Sequence, residues 1–276
     1  IAISGDAAIT KVIQMPKSLG DNELEGQVEM QADQYIPFPM EEVSYDYQVV
    51  GPSEKDPEML DVLLVATRTE NVEQRQAAVQ ASGLTAHLVD VEAFALENAC
   101  ALMRHQMPDG GLDRTVAVVD FGASSTTFSV LRDMRVIYTR DFAFGGQQLT
   151  EEIMRTYGLS MEEAGRAKKE GGLPSNYQPE VLDPFIDDMT QQVSRSLQFY
   201  LASGSGRSQP DQILICGGCA NIPGVADVIS SRVGVPADKG DPLGNMKVSS
   251  KAKAQAVARD ATALLTACGL ALRSFD

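Results

Sequence analysis

Tryptophan is absent from this chain, histidine occurs twice and cysteine four times, and no apolar run approaches the length of a bilayer span. Each shortage removes a class of function. Roughly 18 to 20 apolar residues in a row are needed to cross a membrane, so no transmembrane helix is expected. With no tryptophan and aromatics at 6%, an aromatic platform for carbohydrate is not indicated. Four cysteines in 276 residues, without framework spacing, point to a reducing, cytoplasmic setting. Cations are short too: 23 lysines and arginines face 38 aspartates and glutamates, a formal charge of -15. That balance argues against electrostatic capture of nucleic acid or of anionic lipid. The length allows two domains with cores of their own.

What is present begins with Val116-Ala-Val-Val-Asp120-Phe-Gly122-Ala-Ser124-Ser125-Thr126-Thr127-Phe-Ser-Val130. An apolar run ends in an aspartate, small residues turn the chain, and a second β-prone run starts at once. Two strands joined so tightly form a hairpin. A turn of Gly, Ala, Ser and Thr lets backbone N–H groups approach a polyphosphate without side-chain obstruction. Asp120, closing a buried strand, could hold a magnesium ion directly or through water. A Walker loop would need a Lys and a following helix, and neither is here. The plainer alternative is an ordinary core hairpin with a polar turn.

A second glycine loop lies 97 residues beyond Asp120, at Gly217. Ile213 to Cys216 reads as a buried strand, Gly217 and Gly218 break it, and Asn221 to Pro223 begins a helix, proline suiting the first turn. A strand, a Gly-Gly bend and a helix start present a flat backbone surface to a purine. Cys216 and Cys219 also read as C-x-x-C, a zinc or redox spacing. Zinc needs four ligands, and the remaining cysteines, Cys100 and Cys268, and histidines, His87 and His105, stand alone. Both cysteines are expected to be small buried residues, with a redox pair as the alternative.

Residues 9 to 68 read strand, helix, strand, strand. Ile9 to Met15 alternates and is closed by Pro16. Asp21 is the expected N-cap, and Leu24, Val28, Ala32 and Tyr35 form one helical stripe. Ile36-Pro37-Phe38-Pro39 ends that helix, because neither proline can continue it. Val43 to Val50 alternates, and Leu60 to Thr67 is apolar enough for a strand buried on both faces. Later in the chain, Ser160 and Glu163 have the spacing of a capping box that opens a helix.

The two glycine loops, in this order and separation, resemble the actin-like nucleotide-binding superfamily. Within it, Glu25 to Val43, Val89 to Glu97 and Phe144-Gly145-Gly146-Gln147-Gln148-Leu149 are similar to segments of the PilM family, cytoplasmic actin-like proteins of type IV pilus assembly. The resemblance runs over essentially the whole chain. It implies an α/β, actin-like (ribonuclease H-like) two-domain nucleotide-binding fold with an FtsA-type inserted α+β subdomain at about residues 9–68. Residues 1–107 would form a first domain, 114–250 a second, and 251–276 a C-terminal helix returning to the first. ATP and magnesium would contact Asp120, Gly122, Ser124, Ser125, Thr126, Gly145, Gly146, Lys168, Gly217 and Gly218, with Asp120 toward the metal. For Lys168 the plainer alternative is a solvated helix face. The superfamily also carries a first phosphate loop of the Asp-x-Gly type before the first residue seen here. The expectation is therefore that the chain is an N-terminally shortened form and binds nucleotide weakly.

The partner that the resemblance implies is the N-terminal cytoplasmic peptide of the inner-membrane protein PilN, with other pilus assembly proteins beyond it. Tyr35, Ile36 and Phe38 are the candidate contacts: an apolar, aromatic stretch held extended by two prolines suits peptide capture. Equally, Ile36 and Phe38 could plug the module's own core. Enzymatic activity is expected to be at most a weak ATPase, since no residue can be singled out to orient water against a terminal phosphate. An FtsA-like division protein or a sugar-kinase-type phosphotransferase remains the alternative. The run Ala267 to Asp276 carries one basic residue, so attachment at the inner membrane is expected through the partner, not through a basic amphipathic helix.

Overall fold

Alternation between Ile9 and Met15 does produce a strand, and the computed structural model shows what it pairs with. The structure describes residues 1–53, 56–204, 208–250 and 252–273, in two compact units, Ile1–Glu92 and Ala93–Asp276. In the first, β1 (Ala2–Ile3) precedes β2 (Ala8–Pro16), α1 (Asp21–Tyr35), β3 (Val43–Pro52), β4 (Met59–Arg68), α2 (Thr69–Ala81) and β5 (Asp90–Val91). β2, β4 and β3 form an antiparallel sheet in that order, while β1 pairs in parallel with β5. The sheet buries one face: Ile13, Met15, Val62, Leu64 and Ala66 pack with Leu24, Val28, Ala32 and Ile36. The opposite face of β4 is only half-buried. The apolar run from Leu60 to Thr67 thus covers one layer and not two.

Two local expectations shift by one residue. Gly20 occupies the N-cap of α1, its N–H donating to the Glu23 carboxylate at 3.1 Å. Asp21 becomes the first helical residue, where its charge still suits the helix dipole. At the other end the buried stripe closes on Ile36 and not on Tyr35, because the spacing 24, 28, 32, 36 keeps the face that meets the sheet. Further on, β5 is only two residues long, and most of residues 84–89 before it are exposed.

The second unit opens with α3 (Glu92–Leu102) and builds on β6 (Thr115–Phe121), β7 (Thr126–Arg132) and β8 (Arg135–Phe142). Then come α4 (Gly146–Tyr157), α5 (Met161–Glu170), a π-helical turn over Gln178–Leu182, and α6 (Asp183–Ala202). β9 (Gln212–Gly217), α7 (Val225–Val233) and β10 (Ala237–Lys239) follow, with α8 (Ala254–Asp260) and α9 (Leu265–Leu272) last. One five-stranded sheet, ordered β10-β9-β6-β7-β8, organises the unit. β9 runs parallel to β6, and β6, β7 and β8 meander antiparallel.

This sheet is buried on both faces, which is why β6 and β9 read as continuous apolar runs. Ala117, Val119, Phe121, Ile213 and Ile215 face α4, α6 and α7 through Leu149, Ile153, Phe185, Met189, Val193 and Ile229. Val116, Val118, Leu214 and Cys216 face Leu96, Ala99, Cys100 and Met103 of α3 and its end, and Leu265 of α9. The C-terminal helix expected at 251–276 is broken by a 3-10 turn at Ala261–Leu264. There the buried Thr262 hydroxyl donates to the Gly217 carbonyl at 2.8 Å, a tertiary bond that a straight helix would not direct this way. Lys251 and Ser274 to Asp276, part of the expected C-terminal segment, lie outside the described residues.

Candidate functional site

The parallel pairing of β6 with β9 sets Asp120 beside Cys216 and Phe121 beside Gly217, closing a gap of 97 residues in sequence. Gly217 has φ +83°, and a Cβ there would lie 2.2 Å from the Phe121 carbonyl oxygen and 2.6 Å from Asp120 Oδ1. Only a glycine permits this approach. The carboxylate of one loop therefore lies directly over the backbone of the other. Gly218, next in sequence, behaves differently: it is exposed, and a Cβ there would meet nothing within 4 Å. The fold requires glycine at 217 and leaves open space above 218.

The hairpin turn is tied to α4 through backbone. Gly122 O and Ala123 O accept the N–H groups of Gly146 and Gln147 at 2.9 and 2.8 Å. A Cβ at Gly145 would sit 2.4 Å from Ala123 O, so Gly145 is what allows the two segments to touch. Gly145 and Gly146 are both buried. The first free N–H groups of α4, a usual anion site, are thus taken up by the turn. Thr126 is fully buried and its hydroxyl donates to Phe144 O at 2.7 Å, bracing the same junction. Ala123, Ser124 and Ser125 remain as the exposed crest. Of the residues expected here, Asp120, Gly122, Ser124, Ser125, Gly217 and Gly218 line the ends of β6, β7 and β9, while Thr126, Gly145 and Gly146 lie beneath them.

Lys168 is not on a solvated helix face. Its Nζ donates to Gly146 O at 2.8 Å and to Thr150 Oγ1 at 2.7 Å, so α5 is fastened to the first turn of α4. A Cβ at Gly146 would be 3.6 Å from that Nζ and 3.1 Å from Cys219 Sγ, which places thiol and ammonium at one junction. Burial lowers the Lys168 pKa, with Cys219 acting in the opposite sense. Burial pushes the Cys219 thiol up to about 11, Lys168 opposing and Asp120 reinforcing. The Cys216 thiol is raised well above its ordinary value by burial and, after that, by Asp120. Both cysteines are free, and they belong to the cores on opposite faces of the sheet, so the C-x-x-C spacing makes neither a disulfide nor a zinc pair. Among the described residues no three His, Cys, Asp or Glu side chains gather to hold a metal. A lone carboxylate such as Asp120 suits magnesium that keeps waters and takes its other ligands from phosphate.

The sign of the Lys168 shift gives a first prediction. A lysine with a lowered folded pKa is destabilising while charged. The unfolded chain then binds more protons, and stability rises as pH climbs from the folded pKa toward 10.5. Urea unfolding of wild type and Lys168→Met across pH 8 to 10.5 should show the wild type gaining on the variant. Parallel curves would mean that the ammonium is not held in this desolvated pocket.

Three contributors at this junction carry no sequence signal. Thr150 and Thr262 are ordinary threonines in helical runs, and Asn221 donates to Arg259 O at 2.9 Å and Thr262 Oγ1 at 3.1 Å across 38 and 41 residues. In the first unit, Ile36 is 5% exposed and belongs to the core, whereas Tyr35 and Phe38 are 43% and 38% exposed. Lys11 Nζ lies 5.3 Å from the Tyr35 ring centre, and the Arg68 guanidinium lies 5.3 Å from that of Phe38.

The family model for the type IV pilus assembly protein PilM matches residues 1–275. Among solved structures, a chain from a "PilM-PilN type IV pilus biogenesis complex" superposes with a TM-score of 0.78 at 28% identity, covering 100% of this chain and 79% of that one. The ethanolamine utilization protein EutJ from Carboxydothermus hydrogenoformans gives a TM-score of 0.52 at 22% identity, with 75% of this chain and 62% of that one covered. MreB5 of Spiroplasma citri bound to ADP gives 0.50 at 14% identity, with 75% and 65% covered. The last two likenesses are of fold alone.

Proposed function

The chain belongs to the PilM family of type IV pilus assembly proteins and has the actin-like fold, and from that premise we propose that it is an ATP-binding scaffold that binds the N-terminal tail of PilN and links it to the pilus machinery. The observation that carries the nucleotide half is the contrast between Gly217, where the fold excludes any side chain, and Gly218, where nothing of the protein occupies the space. The fold itself has no need of that opening, and a flat base does. Asp120 would hold magnesium through water, Ser124 and Ser125 would donate to phosphate oxygens, and the Gly217–Gly218 backbone would lie under the purine. Bound magnesium would supply the positive charge that a polyphosphate needs beside Asp120 in a chain of charge -15. Gly145, Gly146, Thr126 and Lys168 would act beneath this surface by fixing the hairpin against α4. The ADP on MreB5 supports a nucleotide role through common fold only.

Gly218→Leu tests this reading. The variant should keep its thermal midpoint, and its affinity for Mg-ATP should drop at least about tenfold, equivalent to about 1.4 kcal/mol. Wild-type affinity in the folded variant would remove the purine from this surface.

For the partner half, the support is the PilM–PilN complex, whose PilM-like chain matches the whole of this one, together with Phe38 and Tyr35 exposed beside a buried Ile36. Among the described residues no helix is long and apolar enough to cross a membrane, so inner-membrane association is assigned to PilN. Phe38→Ala should weaken the binding of a synthetic PilN tail peptide by about 1–3 kcal/mol by calorimetry, with the fold retained. Ile36→Ala, by contrast, should destabilise the module by about 2–5 kcal/mol as a core truncation. Unchanged peptide affinity in a folded Phe38→Ala protein would move the dock elsewhere.

A further inference from the structure

β8 is the last strand of the five-stranded sheet, and among the described residues no strand pairs with its outer side. At its turn end the Val136 N–H is occupied, donating to Glu97 at 2.7 Å. Beyond the bulge opposite Val130 and Leu131, the stretch Tyr138–Phe142 pairs regularly with β7 on its inner side. Unpaired edges invite another strand unless something blunts them.

Beside this edge, α6 exposes an aromatic side chain, Phe199, which is 50% exposed. The Arg140 guanidinium stacks on Phe199 at 3.7 Å from the ring centre. Arg195 lies one turn before Phe199 on the same helix and is exposed. Neither Arg140 nor Arg195 has an ion pair with a carboxylate among the described residues, although the chain carries 38 acidic side chains. Two uncompensated cations at one edge of an acidic protein are complementary to negative charge from outside it.

We propose that the β8 edge, with the Arg140–Phe199 stack beside it, binds an extended acidic segment of a partner protein by strand addition. Main-chain hydrogen bonds to Tyr138–Asp141 supply the attachment, the Phe142 carbonyl already accepting the Phe144 N–H at 2.9 Å. Side chains alternate along an added strand, so every second side chain of the segment shares the sheet face of Arg140 and Phe199, and a carboxylate there reaches Arg140 while the intervening apolar side chains lie on the other face. The site shares no residue with the glycine loops or with the Tyr35–Phe38 stretch, and it does not depend on nucleotide.

The probe is an octapeptide alternating glutamate and valine, with a lysine–valine counterpart and a glutamate–valine peptide broken by a central proline. Amide hydrogen exchange over Tyr138–Asp141 should slow at least tenfold with the acidic peptide and with neither control. Arg140→Glu combined with Phe199→Ser should weaken the peptide at least tenfold at an unchanged melting temperature. If that pair impairs folding, Arg195→Glu, an exposed single change, should weaken it in the same direction. The proposal is overturned by an absence of slowing at millimolar acidic peptide, or by an equal response to the lysine peptide. It is overturned equally if β8 protection appears without peptide and grows with protein concentration, which would make the occupant a second copy of this chain.

Discussion

Gly217→Ala should lower the unfolding free energy by about 3 to 5 kcal/mol, the sum of a left-handed φ imposed on alanine and a backbone clash. The conformation at +83° alone is unfavourable for an L side chain, and the new Cβ would lie 2.2 Å from Phe121 O. That oxygen belongs to the central strand of a sheet buried on both faces and cannot retreat without disturbing the β6–β9 ladder. Relief by shifting β9 would also release the Thr262 bond to Gly217 O. Chemical denaturation measures the loss. A destabilisation under about 1 kcal/mol would show that the loop relaxes freely and that Asp120 is not held over it. The neighbouring change, Gly218→Leu, should by contrast leave stability alone, so the pair separates a glycine demanded by the fold from one that only leaves space.

The second large effect is expected at Gly269→Ala. Here α9 crosses α3 so closely that an added Cβ would lie 1.7 Å from Ala95 O and 2.5 Å from its carbonyl carbon. Ala95 itself is fully buried. One helix must move outward by more than an ångström, opening the contacts between Leu265 and the α3 residues Leu96, Ala99 and Cys100. Cores respond to such overpacking with costs of about 1–3 kcal/mol, and more where backbone is the obstacle. A fall in melting temperature of several degrees by calorimetry is expected; an unchanged midpoint would mean that α9 is not seated against α3. Helix propensity alone predicts the opposite sign, since alanine favours a helix by about 1 kcal/mol over glycine.

Elements governed by near neighbours along the chain are legible from the amino-acid sequence. The strands of the β6–β7 hairpin follow their apolar runs, and the small residues Gly122 to Ser125 turn the chain between them. The capping box at Ser160 and Glu163 forms as its spacing predicts, with Glu163 N–H donating to Ser160 Oγ at 3.3 Å and Ser160 N–H to Glu163 Oε2 at 2.9 Å. Expectation and fold part where a distant partner competes with local preference. Tyr35 yields the stripe to Ile36 because the sheet fixes which face of α1 is covered. The last helix breaks at Ala261–Leu264, where Thr262 reaches Gly217 O.

By itself, then, the sequence determined the strand-helix-strand-strand order of residues 9–68, the hairpin, the two glycine loops and the acidic character of the chain. These follow from periodicity, turn chemistry and charge, which act over a few residues. Only the tertiary structure decided what those glycines do. Parallel pairing of β6 with β9 lays the Asp120 carboxylate over Gly217, and the turn carbonyls of Gly122 and Ala123 close on Gly146 and Gln147 of α4. Lys168, a charged helix residue by composition, is drawn down to Gly146 O and Thr150. Each of these contacts joins segments from about 20 to nearly 100 residues apart, and strand register and helix packing, which no local window encodes, set the distance between them.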